Sequence, residues 1–255
     1  MTIALELLKE KGIKKPISLE QLAEARIKSG AKSSLSTEGS YVKEGAIYVP
    51  NQAPLFVRDS PVLSNAKEAT QAHRENREFY LDAKTYLEQA EEDKTKEPQK
   101  RKILILKQRD DFSVPTDKFG ENETALWAFR DNAEKYGEFL RENGINNWNV
   151  CLVGEYYVDK QEKSFARQLW LRRLDGGSGL SDDYGLLDCD DPVCGVCAEG
   201  ASEKIFSPSK TSKDSSPYTQ KELEKYTKIV EGVRKGNLPS SKLEKIEEFL
   251  EKLKN

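Results

Sequence analysis

The stretch from Leu174 to Ala198 contains no Lys, Glu, Gln, Met or Trp, while the rest of the chain is crowded with Lys and Glu. Asp, Gly, Ser, Tyr and Cys take the place of the usual surface residues. A solvated loop in a Lys/Glu-rich protein is expected to share its neighbours' composition, and this one does not. The genetic code describes the difference. Changing the first two bases of an AAC-type asparagine codon yields Asp, Tyr, Ser, Gly, Cys, His, Arg, Thr, Ala, Pro, Ile, Val, Leu or Phe. It never yields Lys, Glu, Gln, Met, Trp or a stop. Every residue from Leu174 to Ala198 lies in that set. On composition alone, an ordinary Gly/Asp-rich loop fits as well.

The remainder of the chain sets the frame. Its 255 residues suffice for one sizeable core and an appendage. Basic and acidic side chains nearly balance, 41 against 44, so no electrostatic case exists for nucleic acid or an anionic membrane as a partner. No apolar run approaches the length of a membrane span. The start, Met1 to Glu10, has charges inside its apolar stretch and no cleavage-site pattern. That predicts synthesis in the cytoplasm and leaves the final location, cell interior, virus particle or surface, undetermined.

Element signals follow the chain in order. Residues 1–29 read as helix, with Ser18 as a cap and Leu19, Leu22, Ala23 and Ile27 at helical spacing. Lys32 to Ser40 reads as loop, and Ala46–Val49 and Leu55–Arg58 as short strands. Ser64 to about Asp93 reads as one long helix with Ala69, Ala72, Phe79, Tyr80, Tyr86 and Leu87 as its apolar positions. The charge run Glu92–Arg101 reads as a solvated turn, and Ile103–Leu106 as a buried strand. Thr124–Glu142 reads as a second amphipathic helix, stopped by Asn143 and Gly144. Trp148–Val158 and Phe165–Leu174 read as strands, the latter with Phe165, Leu169 and Leu171 on one side. Val193–Cys197 reads as a last short strand. Residues 199–217 read as a linker, and Thr219–Arg234 with Ser240–Lys254 as a helical hairpin too small to stand alone.

The cysteines and acids invite sharper readings. Cys189, Cys194 and Cys197 offer one close pair and a third sulfur with no nearby histidine. A structural zinc site would need Cys151 to fold back as the fourth ligand, so no metal site is expected. The expected strand also keeps Cys194 and Cys197 away from any helix N-terminus that lowers a thiol pKa. Asp182, Asp183, Asp188, Asp190 and Asp191 lack the spacing of a calcium loop and read as a solvated acidic loop end. The single histidine, His73, lies on a polar helix and excludes histidine-based triads. Gly176-Gly-Ser-Gly follows a strand without a helix after it, so it is a weak phosphate signal. No cofactor is expected, and no catalysis. Arg167, Arg172 and Arg173 read as structural strand positions.

The run Gln168-Leu-Trp-Leu-Arg-Arg-Leu-Asp-Gly-Gly-Ser-Gly-Leu-Ser-Asp-Asp-Tyr, closing on Cys194-Gly-Val, resembles the variable proteins of diversity-generating retroelements. In these proteins, targeted codons are rewritten by a mutagenic reverse transcriptase acting on template adenines. The likeness covers roughly Lys43 to Val196 by element order and is sharp from Phe165 to Val196. The tail beginning Tyr218-Thr-Gln-Lys-Glu-Leu looks like those of archaeal members.

The resemblance implies an α+β, C-type lectin fold of the branch related to formylglycine-generating enzymes. Two main helices and a small antiparallel sheet would form the domain at 41–198, with a helical segment at 1–40 before it and the hairpin at 218–255 after it. It implies a variable region of about 167–197. The rewritten, ligand-binding positions would be Asp175, Gly176, Gly177, Ser181, Asp182, Asp183, Tyr184, Gly185, Leu186, Asp188, Cys189, Asp190, Asp191 and Cys194. The invariant scaffold would be Trp170, Leu171, Leu174, Ser178, Gly179, Leu180, Leu187, Gly195 and Val196, with Trp170, Leu180, Leu187 and Val196 burying the inner face of the loop. Rewriting is tolerable only where side chains leave the fold for solvent. The expected partner is a macromolecular ligand, a protein or cell-surface component. Two other readings stand beside this one. The first is a thiol or metal-dependent enzyme using Cys189 with Cys194, the pair the formylglycine relatives suggest. The second is an adaptor acting through the hairpin.

Overall fold

The computed structural model describes residues 16–174 and 178–182. The chain divides into two units, Met1–Glu203 and Lys204–Asn255, and every described residue lies in the first. The expected linker, hairpin and last strand lie outside the described residues.

Helix α1 (Leu19–Ser29) begins with a capping box. The Ser18 hydroxyl accepts the Gln21 N–H at 3.2 Å, and the Gln21 side chain accepts the Ser18 N–H at 3.1 Å, so two orphan donors of the first turn are satisfied at once. Leu19, Leu22 and Ala23 are fully buried, as the helical spacing predicts. The helix stops at Gly30, whose φ of 83° lies in the left-handed region. The expected loop after it holds a short helix, α2 (Ser34–Thr37), and strand β1 already starts at Ser40.

The sheet is built from β1 (Ser40–Tyr48), β2 (Leu55–Val57), β3 (Phe79–Tyr80), β4 (Ile103–Ile105), β5 (Phe112–Pro115), β6 (Asn147–Cys151), β7 (Phe165–Leu171) and β8 (Gly179–Ser181). Among the described residues the order is β4-β2-β1-β7-β8-β6-β5, with β3 pairing the start of β7. All pairs are antiparallel except β6 with β8.

Alternation along the central strands sorts side chains onto two covered faces. Ala46 and Tyr48 of β1, Phe56 of β2, Leu104 of β4 and Phe165, Leu169 and Leu171 of β7 join the larger core. It also holds α1, α6 (Glu123–Phe129) and α7 (Ala133–Glu142). There Trp148 is fully buried, with the rings of Phe119 and Phe129 edge-on at 5.6 and 5.2 Å. Ile47, Leu55, Val57, Ile103 and Ala166 face the other way. They pack with α3 (Pro61–Ser64), α4 (Ala66–Arg74) and α5 (Lys84–Asp93).

Several expected elements are interrupted, each for a local reason. The long helix from Ser64 to Asp93 is three helices with β3 between the last two. Asn76 takes a φ of 52°, and Phe79 and Tyr80 pair with Ala166 and Phe165, so a sheet contact overrides helical propensity. The helix from Thr124 to Glu142 breaks at Arg130, φ 50°, and resumes as α7, which closes at Asn143–Gly144 as expected. The strand from Trp148 ends at Cys151 and yields to α8 (Glu155–Asp159). Asp110 accepts the Glu155 N–H at 3.0 Å, and Arg109 pairs with Glu155 and Asp159, tethering that turn.

The charge run does more than solvate a turn. Asp93 is fully buried and accepts the backbone N–H groups of Lys102 at 2.6 Å and Ile103 at 2.9 Å, with Lys96 Nζ at 2.7 Å. Burial pushes its pKa up, but these three donors more than offset it and hold the carboxyl below the usual aspartate value.

Candidate functional site

Strand β8 lies in the middle of the sheet, between β7 and β6. Leu180 pairs across to Leu171 on one side and Val150 on the other. Ser178, Leu180, Ser181 and Asp182 are all buried, so both faces of the strand are covered. The described part of the compositionally distinct stretch, Leu174 and residues 178–182, is thus buried.

Of the expected ligand-binding positions, Ser181 and Asp182 fall among the described residues. The structure places both in the interior. Each is only 2% exposed, because the side chains on both faces of the sheet are covered there. Asp182 instead anchors a polar chain. Its carboxylate accepts the Tyr48 hydroxyl, its N–H donates to the Cys151 carbonyl at 3.3 Å, and its carbonyl accepts from Arg167 Nη1 at 3.4 Å. Arg167 Nη2 pairs with Glu78 Oε1 at 2.5 Å, and the Tyr157 hydroxyl donates to the same oxygen at 2.9 Å. The chain runs from the fully buried Tyr48 to Tyr157, which is 44% exposed. Asp175, Gly176, Gly177, Asp183, Tyr184, Gly185, Leu186, Asp188, Cys189, Asp190, Asp191 and Cys194 lie outside the described residues, as do Leu187, Gly195 and Val196.

Electrostatics fixes the protonation of this chain. Burial and the neighbouring Asp182 charge raise the Tyr48 pKa well above its ordinary value, so the phenol stays neutral and donates. Burial alone would lower the Arg167 pKa, but Glu78 and Asp182 more than offset it and the guanidinium stays charged. Tyr48 Oη also accepts the Val153 N–H at 3.1 Å. Tyr48→Phe therefore strips a donor from a buried carboxylate and an acceptor from a buried amide. It is expected to cost about 2 kcal/mol of stability, read as a lower urea midpoint. A midpoint equal to wild type would remove this hydroxyl from the lock.

The scaffold positions behave as follows. Leu171, Leu174, Ser178, Gly179 and Leu180 are buried. Trp170 is half-buried and edge-on to Tyr41, ring centroids 4.5 Å apart. It also presses on Gly39 so closely that a Cβ there would sit 2.2 Å from the indole. Its observed contacts are thus with the start of β1. Cys151 is half-buried on β6, with Arg172 Nη1 3.5 Å from its sulfur. Cys189, Cys194 and Cys197 lie outside the described residues. Among the described residues no group of three His, Cys, Asp or Glu side chains is placed to hold a metal ion, and no helix is long and apolar enough to cross a membrane.

Sequence reading missed Tyr48, Glu78 and Arg26. Arg26 had a signal: it continues the apolar stripe of Leu19, Leu22 and Ala23, where a charge must find buried partners. Glu78, in the sequence Arg77-Glu-Phe, had none.

The fold has a counterpart among solved structures. A structure concerned with the accommodation of massive sequence variation in Nanoarchaeota by the C-type lectin fold superposes with a TM-score of 0.54. The two chains are 17% identical over 73% of this chain and 88% of that one. This protein has a C-type lectin fold. No family model matches the sequence, and no curated protein matches it.

Proposed function

We propose that this protein is a binding protein that performs no chemistry. Its C-type lectin scaffold carries a stretch diversified by a retroelement and presents it to a macromolecular ligand. The presenting positions are Asp175, Gly176 and Gly177 before β8, and Asp183, Tyr184, Gly185, Leu186, Asp188, Cys189, Asp190, Asp191 and Cys194 after it. Ser181, at the end of β8, and Asp182, just after it, are buried between them. The observation that carries this reading is the coincidence of two boundaries. The run free of Lys, Glu, Gln, Met and Trp begins at Leu171, the last residue of β7, and the chain that follows is held by buried backbone hydrogen bonds on both sides of β8. A scaffold fixed by its own backbone tolerates arbitrary side chains beyond it. In this reading Tyr184 is an amphipathic anchor, and the Asp and Ser side chains supply hydrogen bonds. The Nanoarchaeota structure supports it through fold alone.

Two measurements test it. The DNA downstream is expected to carry a near-copy of the coding stretch for Leu169–Val196, with adenines at the mismatched positions, beside a reverse transcriptase gene. Absence of both would overturn the retroelement origin. Joint replacement of Asp183, Tyr184, Asp190 and Asp191 by alanine is expected to move the melting temperature by less than about 4 °C, as exposed positions do. A larger fall would place those side chains in the core and end the binding-surface reading.

A further inference from the structure

Arg26 is fully buried, yet every hydrogen bond it makes among the described residues ends on a neutral oxygen. Nε donates to the Leu35 carbonyl at 2.7 Å, and Nη2 to the Glu38 carbonyl at 3.1 Å. Nη1 donates to the Tyr136 hydroxyl at 3.1 Å and to the Arg172 carbonyl at 3.0 Å. One planar group thus joins α1, both ends of α2, helix α7 and the backbone just beyond β7. A buried charge without a carboxylate is costly, and a core in need of packing alone would be served by leucine here.

The Arg172 carbonyl lies at the entrance to the stretch read above as presented. Two other bonds converge on the same backbone, and a third holds the chain at Ser178. The Arg172 N–H donates to the Gly179 carbonyl at 2.8 Å, the Leu174 N–H to the Ser36 carbonyl at 2.8 Å, and the Asn149 N–H to the Ser178 carbonyl at 3.1 Å. Ser36 lies in the 35–38 segment whose Leu35 and Glu38 carbonyls Arg26 binds. The guanidinium therefore holds the Arg172–Leu174 backbone twice, directly at Arg172 and through the 35–38 segment at Leu174.

We propose that Arg26 is a positioning residue for the presented stretch: it fixes the backbone from which residues 175–177 depart, independently of the side chains those residues carry. This rests on the binding reading given above. It also explains why an arginine is used. A lysine is a point charge and cannot span three carbonyls in one plane, whereas the guanidinium fork can.

Amide hydrogen exchange tests this without a ligand. In Arg26→Lys, the Arg172 and Leu174 amides are expected to exchange about tenfold faster or more, while the amides pairing β1 with β2 keep wild-type protection. Equal loss across the sheet would make Arg26 a general core residue and overturn the proposal, as would unchanged exchange at Arg172 and Leu174. Should Arg26→Lys fail to fold, Tyr136→Phe decides. It keeps the ring and removes one of the oxygens that orient the guanidinium. Faster exchange confined to the Arg172 and Leu174 amides is expected, and none at those two amides would overturn the assignment. The exchange result does not depend on the DNA test, so each reading can fail alone.

Discussion

Gly179→Ala is expected to destabilise the protein by about 3 kcal/mol, overpacking at the severe end of its usual range. A Cβ built on Gly179 would sit 2.3 Å from the Asn149 carbonyl oxygen and 3.2 Å from its carbon. Both are backbone atoms of β6, so no side-chain rotation relieves the contact. The strands must part, and the parallel pairing of Asn149, Val150 and Cys151 with Gly179, Leu180 and Ser181 is the structure that gives way. In a domain of this size the loss corresponds to a fall in Tm of about 8 °C. Gly154→Ala is the control. A Cβ there meets nothing within 4 Å, and a change under about 0.5 kcal/mol is expected. Equal melts for the two variants would mean that β6 and β8 are not in contact.

The second large effect depends on pH. Glu44 is fully buried in β1, and its carboxylate accepts the Leu19 N–H at 3.0 Å. Its other oxygen has no hydrogen-bond partner among the described residues. Burial raises its pKa from 4.5 to about 7, against the lowering pull of the backbone donor, Arg58 and Lys43. The folded protein therefore holds a proton that the unfolded chain has released between these two values. Stability is highest below pH 4.5 as far as this group is concerned, and is lost as pH rises through about 7. Each pH unit in that window is worth about 1.4 kcal/mol, about 3 kcal/mol in all. Glu44→Gln removes the titration and retains an oxygen for Leu19. Relative to wild type, the variant is expected to gain about 3 kcal/mol between pH 4.5 and pH 8, measured by urea unfolding at both. A difference between the two proteins that is the same at both pH values would refute the assignment.

Both effects have causes that are invisible along the chain. The resemblance assigns Gly179 to the scaffold, but only the approach of β6 shows why its missing side chain is necessary. Glu44 reads as a surface acid beside Lys43, and only the covering of β1 by α1 raises its pKa. Asp182 is the sharpest instance. Its neighbours and codon class mark it for solvent, while the position of β8 between two strands places it beside Tyr48. The strand periodicity through Phe165, Leu169 and Leu171 and the cap at Ser18, by contrast, read correctly. Period and capping depend on residues a few positions apart.

The sequence by itself determined the α+β class, the capped first helix, the central apolar strands and the abrupt change of composition after Trp170. These are local, and local backbone geometry suffices to set them. Tertiary structure alone decided that the two long helical stretches break, that the charge run hides a buried Asp93, and that Arg26, Tyr48, Glu78 and Arg167 brace the strand between the two ends of the distinctive stretch. Each of those outcomes depends on groups far apart in the chain meeting in a water-poor interior. There an unpaired charge or amide is costly, and only the assembled sheet supplies its partner.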